Sequence, residues 1–217
     1  MKNKINLNNN GELHGTQFFY RGKKLRGKEY YDNGILLKSE SYYDNGSYRS
    51  VQNYNREEKL DGVQIFYHPN GKLAEKTKYR NGEIVEMESY YESGNKKSEI
   101  NRSGIKEYYE NTELKMIKEM KNNILNGISC DFKRDGEIKS IKYIENGEII
   151  GSKEYIEIDS MTENFFDKTT YILPSGDLTK IEEFENSYET QAQKLTNRLI
   201  EKQKNQINRE SEKGYER

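Results

Sequence analysis

The chain has 217 residues, of which 34% are charged and 32% hydrophobic, with a net charge of -1 and a mean hydropathy of -1.16. So little apolar material excludes a large dry core, whereas 18 tyrosines argue against a disordered chain, since such chains are poor in aromatic residues. A single cysteine, Cys130, excludes an internal disulfide framework and a thiolate metal cluster.

The first 28 residues are strongly basic. They carry seven Lys or Arg against one acid, Glu12, which gives +6 and leaves -7 for the remaining 189 residues. This end of the chain either meets an anionic partner or uses its charges to keep a sheet edge from pairing with another chain. It lacks the apolar run of a signal peptide, so we expect a cytoplasmic protein; removal of a signal sequence is the alternative.

A short phrase with Asn-Gly after an aromatic residue recurs along the chain, and it predicts β-hairpins. Both central residues of a type I′ turn need positive φ, which Gly takes freely and Asn tolerates. The spacing of ten to twelve residues leaves room for one strand of five to eight residues between turns. The repeated phrases are Tyr30–Gly34, Tyr42–Gly46, Phe66–Gly71, Tyr79–Gly82 and Tyr90–Gly94.

A two-residue turn at Asn33-Gly34 predicts the strand register on either side of it. Asp32 then faces Ile35, Tyr31 faces Leu36 and Tyr30 faces Leu37. The same count around Asn45-Gly46 sets Tyr43 against Tyr48.

The phrase breaks at three places. Pro69 cannot donate a ladder hydrogen bond and predicts a longer or looser turn. Residues 53–59 lack Asn-Gly, and Thr112 stands where Gly is expected, so irregular turns are predicted at both positions.

A second element places Gly ahead of a strand that ends in an aromatic residue, as in Gly62–Tyr67 and Gly104–Tyr109. Together with the Asn-Gly hairpins, it makes residues 11–155 resemble the MORN-repeat variant family, with Gly27–Gly46 and Gly62–Gly82 as the best copies. The resemblance implies an elongated, single-layer antiparallel meander of β-hairpins. It also implies a binding role, and many bacterial members of the family are antitoxin-like.

The sequence divides into three parts: a hairpin array over residues 1–155, a capping segment over 156–177 that has room for one further hairpin, and a C-terminal amphipathic helix over 178–217 with a frayed tail. Asp177 is a suitable N-cap for the helix. Apolar residues recur three and four positions apart from there onward. They are Leu178, Ile181, Phe184, Tyr188, Ala192, Leu195 and Leu199.

No catalytic or metal-binding pattern is present in the sequence. His14 and His68 lie in turns without a nucleophile motif beside them, and Cys130 alternates with apolar residues as a half-buried side chain would. We therefore predict a protein without enzymatic activity, cofactor or metal.

The leading hypothesis is a protein-binding repeat protein, of the kind that an antitoxin, an immunity protein or a phage-encoded inhibitor of a toxic enzyme such as a nuclease represents. The alternative is a binder of nucleic acid or anionic lipid through the basic segment 21–28, and the sequence leaves the oligomeric state open. Tyr and Arg dominate interface hot spots, and this guides the choice of candidate residues. They are Arg21, Lys23, Lys24, Arg26, Lys28, Tyr30, Tyr42, Tyr54, Arg56 and Tyr108.

Overall fold

The computed structural model describes residues 2–156 and 166–171, and every regular element in this part of the chain is a β-strand. The strands are β1 (Gly15–Arg21), β2 (Lys24–Asp32), β3 (Ile35–Tyr42), β4 (Tyr48–Asn53), β5 (Gly62–Tyr67), β6 (Leu73–Arg80), β7 (Glu83–Tyr90), β8 (Lys96–Asn101), β9 (Gly104–Tyr108), β10 (Leu114–Lys121), β11 (Ile124–Phe132), β12 (Ile138–Glu145), β13 (Glu148–Ile156) and β14 (Phe166–Tyr171).

The chain forms two compact units, Met1–Met116 and Ile117–Arg217. In the first unit, β1 to β9 lie in one sheet in chain order, and each pairs antiparallel with the next. In the second, β11 to β14 pair in the same way. The predicted single-layer antiparallel meander is confirmed.

The C-terminal helix predicted over residues 178–217 lies outside the described residues. Strand β14 falls within the predicted capping segment and pairs with β13, as a further hairpin would. The predicted boundaries of the three parts stay a prediction.

Two-residue turns join several pairs of neighbouring strands, among them β2 to β3 and β6 to β7. At Asn33-Gly34 both residues have positive φ, 50° and 84°, and Asp32 pairs with Ile35 as predicted. Tyr31 pairs with Leu36, again as predicted, but Tyr30 pairs with Lys38 and not with Leu37. A β-bulge between Tyr30 and Tyr31 causes this shift, because it places one extra residue on β3.

Five-residue turns join β3 to β4, β5 to β6 and β7 to β8, at the end of the first unit opposite the turn at Asn33-Gly34. In residues 43–47 the Tyr43 N–H donates to the Ser47 carbonyl, and the Gly46 N–H donates to the Tyr43 carbonyl. The predicted pairing of Tyr43 with Tyr48 is therefore wrong, and Tyr48 pairs with Tyr42 instead. The turn at residues 68–72, which contains Pro69, has the same pair of hydrogen bonds.

The two segments predicted to hold irregular turns adopt the same regular geometry. Residues 55–59 and 109–113 each make both hydrogen bonds of the five-residue turn. Glu58, with φ 58°, and Thr112, with φ 74°, occupy the position that Gly46 and Gly71 hold elsewhere. The sequence-based prediction of irregular turns is wrong because the surrounding hydrogen bonds hold a non-glycine residue in the left-handed region.

The five-residue turns of the first unit are linked to one another by side chains. The Tyr43 hydroxyl donates to the Tyr67 carbonyl at 2.7 Å, and the Tyr91 hydroxyl donates to the Tyr108 carbonyl at 2.8 Å. Between them, the His68 Nε2 atom lies 2.9 Å from the Tyr90 carbonyl oxygen. We call this set of three contacts the turn ladder. In each contact, the side chain of the first turn residue bonds to the carbonyl of the last residue in a later strand. That strand lies two strands further along the sheet than the one before the turn.

The register separates two faces of the first unit, because successive side chains of a strand point to opposite sides. The serine face carries serines and other uncharged polar side chains together with apolar ones such as Phe66 and Met87, and the tyrosine face carries tyrosines with alternating charges. The serine face includes Gln17, Ser39, Ser41, Ser50, Gln64, Thr77, Ser89 and Ser98. The tyrosine face includes Lys28, Tyr30, Lys38, Glu40, Tyr42, Glu88, Tyr90, Lys96, Glu99, Lys106 and Tyr108.

Buried polar groups on the serine face are hydrogen-bonded. Gln64, which is almost fully buried, accepts from the Asn53 N–H at 2.6 Å and donates to the Asn53 carbonyl at 2.9 Å. Gln17 makes the same two bonds to Asn6, at 2.5 and 2.9 Å. Each glutamine therefore bonds to the backbone of a neighbouring segment, which removes the penalty of burying its own amide.

An apolar core is present in the second unit. Along β11 and β12, Ile128 pairs with Tyr143 and Cys130 with Ile141, and all four side chains are buried. This unit therefore has a small dry interior, because β11 and β12 place Cys130 and Ile141 at the positions where β7 and β8 of the first unit place Glu88 and Glu99.

We predict that Glu58→Gly stabilises the protein by about 1 kcal/mol, because glycine adopts positive φ without the steric cost that a side chain meets there. Chemical denaturation would measure the change in the free energy of unfolding. Glu57→Gly is the matched control, since the neighbouring Glu57 has no positive φ. A loss of stability in Glu58→Gly equal to that of the control would contradict the strain at this turn.

Candidate functional site

A row of tyrosines runs along the tyrosine face of the first unit, beside the five-residue turns. Four of its members are the last residues of their strands: Tyr42 in β3, Tyr67 in β5, Tyr90 in β7 and Tyr108 in β9. The fifth, Tyr48, begins β4 and packs between two of them, with ring centroids 5.0 Å from Tyr42 and 6.3 Å from Tyr67. We call these five residues the tyrosine row.

Strand spacing sets the dimensions of the tyrosine row. Neighbouring strands lie about 4.8 Å apart, so tyrosines on alternate strands are about 10 Å apart and the row from β3 to β9 extends over about 29 Å. Tyr48 is 43% exposed, whereas Tyr42 is buried at 8%. The row therefore presents an aromatic surface in which Tyr42 and Tyr67 hold the exposed Tyr48 ring in place.

Carboxylates on the same face hold the tyrosine hydroxyls. Tyr42 donates to Glu40 at 2.7 Å, Tyr90 to Glu88 at 3.2 Å and Tyr108 to Glu99 at 3.3 Å. Burial and the nearby carboxylate raise the pKa of all three phenols, that of Tyr108 to about 12. The phenols therefore stay protonated at neutral pH.

Lysines neutralise these carboxylates in cross-strand networks. Lys38 Nζ lies 2.6 Å from Glu40 Oε1. Lys96 Nζ lies 2.8 Å from Glu88 Oε1 and 3.0 Å from Glu99 Oε2, and Lys106 Nζ lies 2.8 Å from Glu99 Oε1. Lysines and glutamates thus alternate on the tyrosine face, and most of these charges are paired with one another.

Lys96 controls the ionisation of two glutamates. Hydrogen bonding to Lys96 lowers the pKa of Glu88 below its ordinary value of 4.5, against the opposing effect of burial. Burial alone would raise the pKa of Glu99, but hydrogen bonds to Lys106 and Lys96 lower it. Because both pKa values are lower in the folded chain, the stabilisation is present above about pH 4.5 and is lost as the pH falls through the folded values.

Lys96→Met is expected to lower the free energy of unfolding by about 1 kcal/mol at pH 7, since it removes the shared cation. The difference from the wild type should shrink as the pH falls below about 4.5, where the carboxylates are protonated. Denaturation between pH 7 and pH 3 measures this. Lys97→Met is the control, because Lys97 lies over the Tyr91 ring and makes no ion pair within the described part of the chain. A pH-independent difference would contradict the network.

The basic segment predicted as a binding site lies at the tip and flank of the β1–β2 hairpin. Arg21, Lys23 and Lys24 are exposed, and none of them forms an ion pair with another described residue. Arg26 is in ion-pair contact with Asp44 on the turn at 43–47. Lys28 Nζ lies 3.9 Å from Glu40 and 5.6 Å from the centroid of the Tyr42 ring. The segment therefore adjoins the tyrosine row.

An open groove of about 420 Å³ joins the basic segment to the tyrosine row. One side belongs to β2 and the other to the turn at 43–47 and the start of β4. The residues that line it are Lys24, Leu25, Lys28, Tyr42, Tyr43, Asp44, Asn45, Gly46 and Tyr48.

Four other predicted site residues lie away from the groove. The ammonium of Lys38 lies over the Tyr30 ring at 5.2 Å, on the tyrosine face. Arg56 pairs with Asp32 at 2.8 Å near the two-residue turns, and Tyr54 follows β4, its pKa raised by burial and by Glu29. Tyr108 lies at the far end of the tyrosine row. The ten candidates therefore do not form one site.

Sequence reasoning missed three members of the tyrosine row: Tyr48, Tyr67 and Tyr90. The signal was available, because an aromatic residue directly precedes the first residue of each five-residue turn at 43–47, 68–72 and 91–95. This signal was hidden because the turn at Asn45-Gly46 was predicted to have two residues. That prediction placed Tyr43 in the strand instead of at the start of the turn.

The N-terminal segment, and not charge alone, covers the outer edge of β1. Lys4 and Phe18 exchange two backbone hydrogen bonds of 2.9 Å, and the Asn3 side chain accepts from the Tyr20 N–H at 2.8 Å. Paired backbone groups protect an edge more directly than charges do. The lysines at the tip of the β1–β2 hairpin are therefore not needed to keep this stretch of β1 from pairing with another chain.

The remaining reactive side chains have structural surroundings. His14 Nδ1 accepts from the Asn33 N–H at 3.3 Å, and His68 belongs to the turn ladder. Cys130 is fully buried rather than half-buried as predicted, and burial raises the pKa of its thiol to about 12. Residues 2–156 and 166–171 contain no cluster of three metal-ligating side chains. No helix in these ranges has the length and apolar character needed to cross a membrane.

Two segments of the chain, residues 60–81 and 85–102, match the family model of the MORN repeat variant. The resemblance drawn from the repeated phrases is thereby confirmed. Repeats of this family generally bind membrane phospholipids or proteins and are not typically enzymatic, so a binding role is supported at this general level. None of the curated proteins shows significant similarity to the chain.

Proposed function

Because the chain carries MORN repeat variants, we propose that it is a non-enzymatic protein-binding protein whose first unit presents the tyrosine row to a protein partner. The observation that carries this proposal is the packing of exposed Tyr48 between Tyr42 and Tyr67. Tyrosine is enriched among the residues that supply most of the binding energy in protein interfaces.

The row is held before any partner arrives. The backbone carbonyls of Tyr67, Tyr90 and Tyr108 are fixed by the turn ladder, and the Tyr42 hydroxyl is fixed by Glu40. A surface ordered in advance loses little conformational entropy on binding, and this loss is a main cost of association.

The size of the surface suits a globular partner. A row of about 29 Å is comparable to the width of a standard interface, which buries about 800 Å² on each partner. The charges beside the row are already paired, so they supply a polar rim around the aromatic centre.

The partner that we propose is a toxic enzyme, such as a nuclease, which this chain blocks as an antitoxin, an immunity protein or a phage-encoded inhibitor does. Residues 29–217 carry a net charge of -7, which is complementary to the cationic substrate site of a nuclease. We place the complex in the cytoplasm.

Affinity capture from the source organism tests the proposal. We expect the tagged full chain to retain a stoichiometric protein partner, and Tyr67→Ala to weaken its retention at least about fivefold, since one anchoring tyrosine contributes more than about 1 kcal/mol. A partner with nuclease activity should be inhibited by the wild-type chain and spared by the variant.

Tyr79→Ala is the matched control, because it removes a half-buried tyrosine whose register places it away from the tyrosine row. Thermal unfolding of both variants separates a loss of binding from a loss of fold. Equal retention by Tyr67→Ala and the wild type, or a preparation that retains no protein, would contradict a partner on the tyrosine row.

A second candidate is a binder of nucleic acid or anionic lipid, favoured by the three exposed cations Arg21, Lys23 and Lys24. Such binding weakens steeply with added salt, because each phosphate contact releases a counterion. Reversal of all three charges to Glu should abolish binding to single-stranded DNA or to phosphatidylserine vesicles. Salt-independent binding, or binding that survives the reversal, would remove this candidate.

A further inference from the structure

Residues 3–7 lie along β1 as β4 lies along β5. Lys4 exchanges two backbone hydrogen bonds of 2.9 Å with Phe18, at the position where Val51 of β4 pairs with Ile65 of β5. We call residues 3–7 the edge segment, because they lie on the outer side of the first strand. The edge segment therefore extends the antiparallel arrangement of the first unit beyond β1.

The hydrogen bonds around the edge segment repeat those around β4. Asn6 bonds to the Gln17 side chain as Asn53 bonds to the Gln64 side chain. A five-residue turn begins two residues after each asparagine. Each residue of the edge segment therefore has an equivalent position in or directly after β4, and the surroundings of β4 show how such a segment is completed.

The edge segment and β4 differ in what lies on their other side. There β4 pairs with β3, and the Tyr54 N–H donates to the Leu37 carbonyl at 2.9 Å. Leu7 is equivalent to Tyr54, but its backbone N–H and C=O groups, and those of Ile5, make no hydrogen bond with any described residue. These groups point away from β1, because successive residues of a strand direct them to opposite sides and Lys4 directs its own toward β1. Within the described part of the chain, the edge segment therefore lacks the strand that β3 provides for β4.

Exposed apolar side chains accompany the open edge. Ile5 is 50% exposed and Leu7 58%, which makes Leu7 the most exposed large hydrophobic side chain of the described residues. The two residues are separated by one position, so their side chains lie on the same face of the sheet. Unpaired backbone groups beside exposed apolar side chains are a template for a further strand, and native proteins ordinarily protect such edges. An extended segment gains both hydrogen bonds and apolar contact here.

We propose that the edge segment binds an extended segment of another protein as an additional antiparallel strand. The bound strand takes the place that β3 has beside β4. In this mode of recognition, main-chain hydrogen bonds supply affinity and alternate side chains supply specificity. The tyrosine row begins at β3, so this edge is a second interaction surface and the inference goes beyond the proposed function.

The side chains of the edge segment define the chemistry of the bound strand. Apolar residues of that strand face Ile5 and Leu7, where they remove apolar surface from water. Lys4 is exposed and forms no ion pair with another described residue. It is equivalent to Val51, which faces Glu40 across the β3–β4 pair. A carboxylate in the place of Glu40 faces Lys4, so the bound strand alternates apolar and acidic residues.

The charge of this end of the chain favours another protein over a second copy. The first 28 residues carry a net charge of +6, so two copies joined here repel each other. Pairing Asn3 of one copy with Ile5 of the other sets their Lys4 side chains directly opposite each other. Like charges in that position destabilise a pair of strands, whereas an acidic strand meets no such repulsion.

Fluorescence anisotropy on the full-length chain tests the inference. The probe is a labelled peptide of about eight residues in which Val alternates with Glu, long enough for one strand. Two further peptides carry N-methyl groups, one on every Val nitrogen and the other on every Glu nitrogen. The Val residues face Ile5 and Leu7 and donate to their carbonyls, so we expect the Val-methylated peptide to bind at least about tenfold more weakly. The Glu-methylated peptide should bind within about twofold of the unmodified one, because its Glu nitrogens point away from the edge segment.

Two variants of the chain give a complementary test. Ile5→Pro removes one outward N–H and keeps the hydrogen bonds of Lys4 and Asn6 to β1, so it should weaken peptide binding at least about fivefold. Lys4→Glu should weaken it at least about threefold, because it opposes the carboxylates of the peptide. Lys23→Glu is the matched control, since it makes the same charge change at the tip of the β1–β2 hairpin and should bind as the wild type does. Thermal unfolding checks that each variant is folded.

Three results would overturn the inference: no binding of the unmodified peptide, equal binding of the two methylated peptides, or equal binding by Lys4→Glu and Lys23→Glu. A dimer in analytical ultracentrifugation that Ile5→Pro dissociates would assign the edge to a second copy instead. Tyr67 lies at the end of β5, so loss of the captured partner in Tyr67→Ala tests the proposed function separately. If peptide binding fails while that loss persists, only the inference about the edge segment falls.

Discussion

The turn ladder is the contact set on which the tyrosine face of the first unit depends. Each rung joins the first side chain of a five-residue turn to the carbonyl of the tyrosine that ends the strand two places on. These bonds lie at one end of the sheet, and each joins equivalent residues of successive turns and strands. They therefore keep Tyr67, Tyr90 and Tyr108 in register, and this register makes a row out of separate tyrosines.

The ladder also explains why two aromatic residues often stand together before a turn. In Tyr42-Tyr43 and Tyr90-Tyr91, the first ring lies on the tyrosine face, and the hydroxyl of the second donates to the last carbonyl of the strand two places on. Each position has its own physical demand: one needs a flat ring with a polar tip, and the other needs a donor that reaches a neighbouring carbonyl. A repeat that appears redundant in the sequence thus has two separate roles.

The sequence predicts the strands and most turns because Asn-Gly encodes positive φ locally, and the register at Asp32 and Ile35 follows directly. It does not predict where β-bulges fall, since a bulge depends on the twist of the paired strands, and this moved Tyr30 against Lys38. Glu58 and Thr112 hold a glycine conformation that only their hydrogen-bonded surroundings impose. For the same reason the groove itself was not predicted, although Lys24 and Tyr42, which line it, are among the candidate residues.

The difference between the two units indicates where binding energy is available. The second unit buries Ile128, Cys130 and Ile141 within itself, so these three side chains are already out of water. In the first unit the buried side chains are mostly polar ones such as Gln64 and Thr77, and Tyr48 is left exposed. Because hydrophobic gain scales with the apolar area removed from water, the first unit has more to gain by covering its tyrosine row. In the proposed function a partner supplies that cover, so the proposed binding surface and the incomplete core of the first unit have the same physical origin.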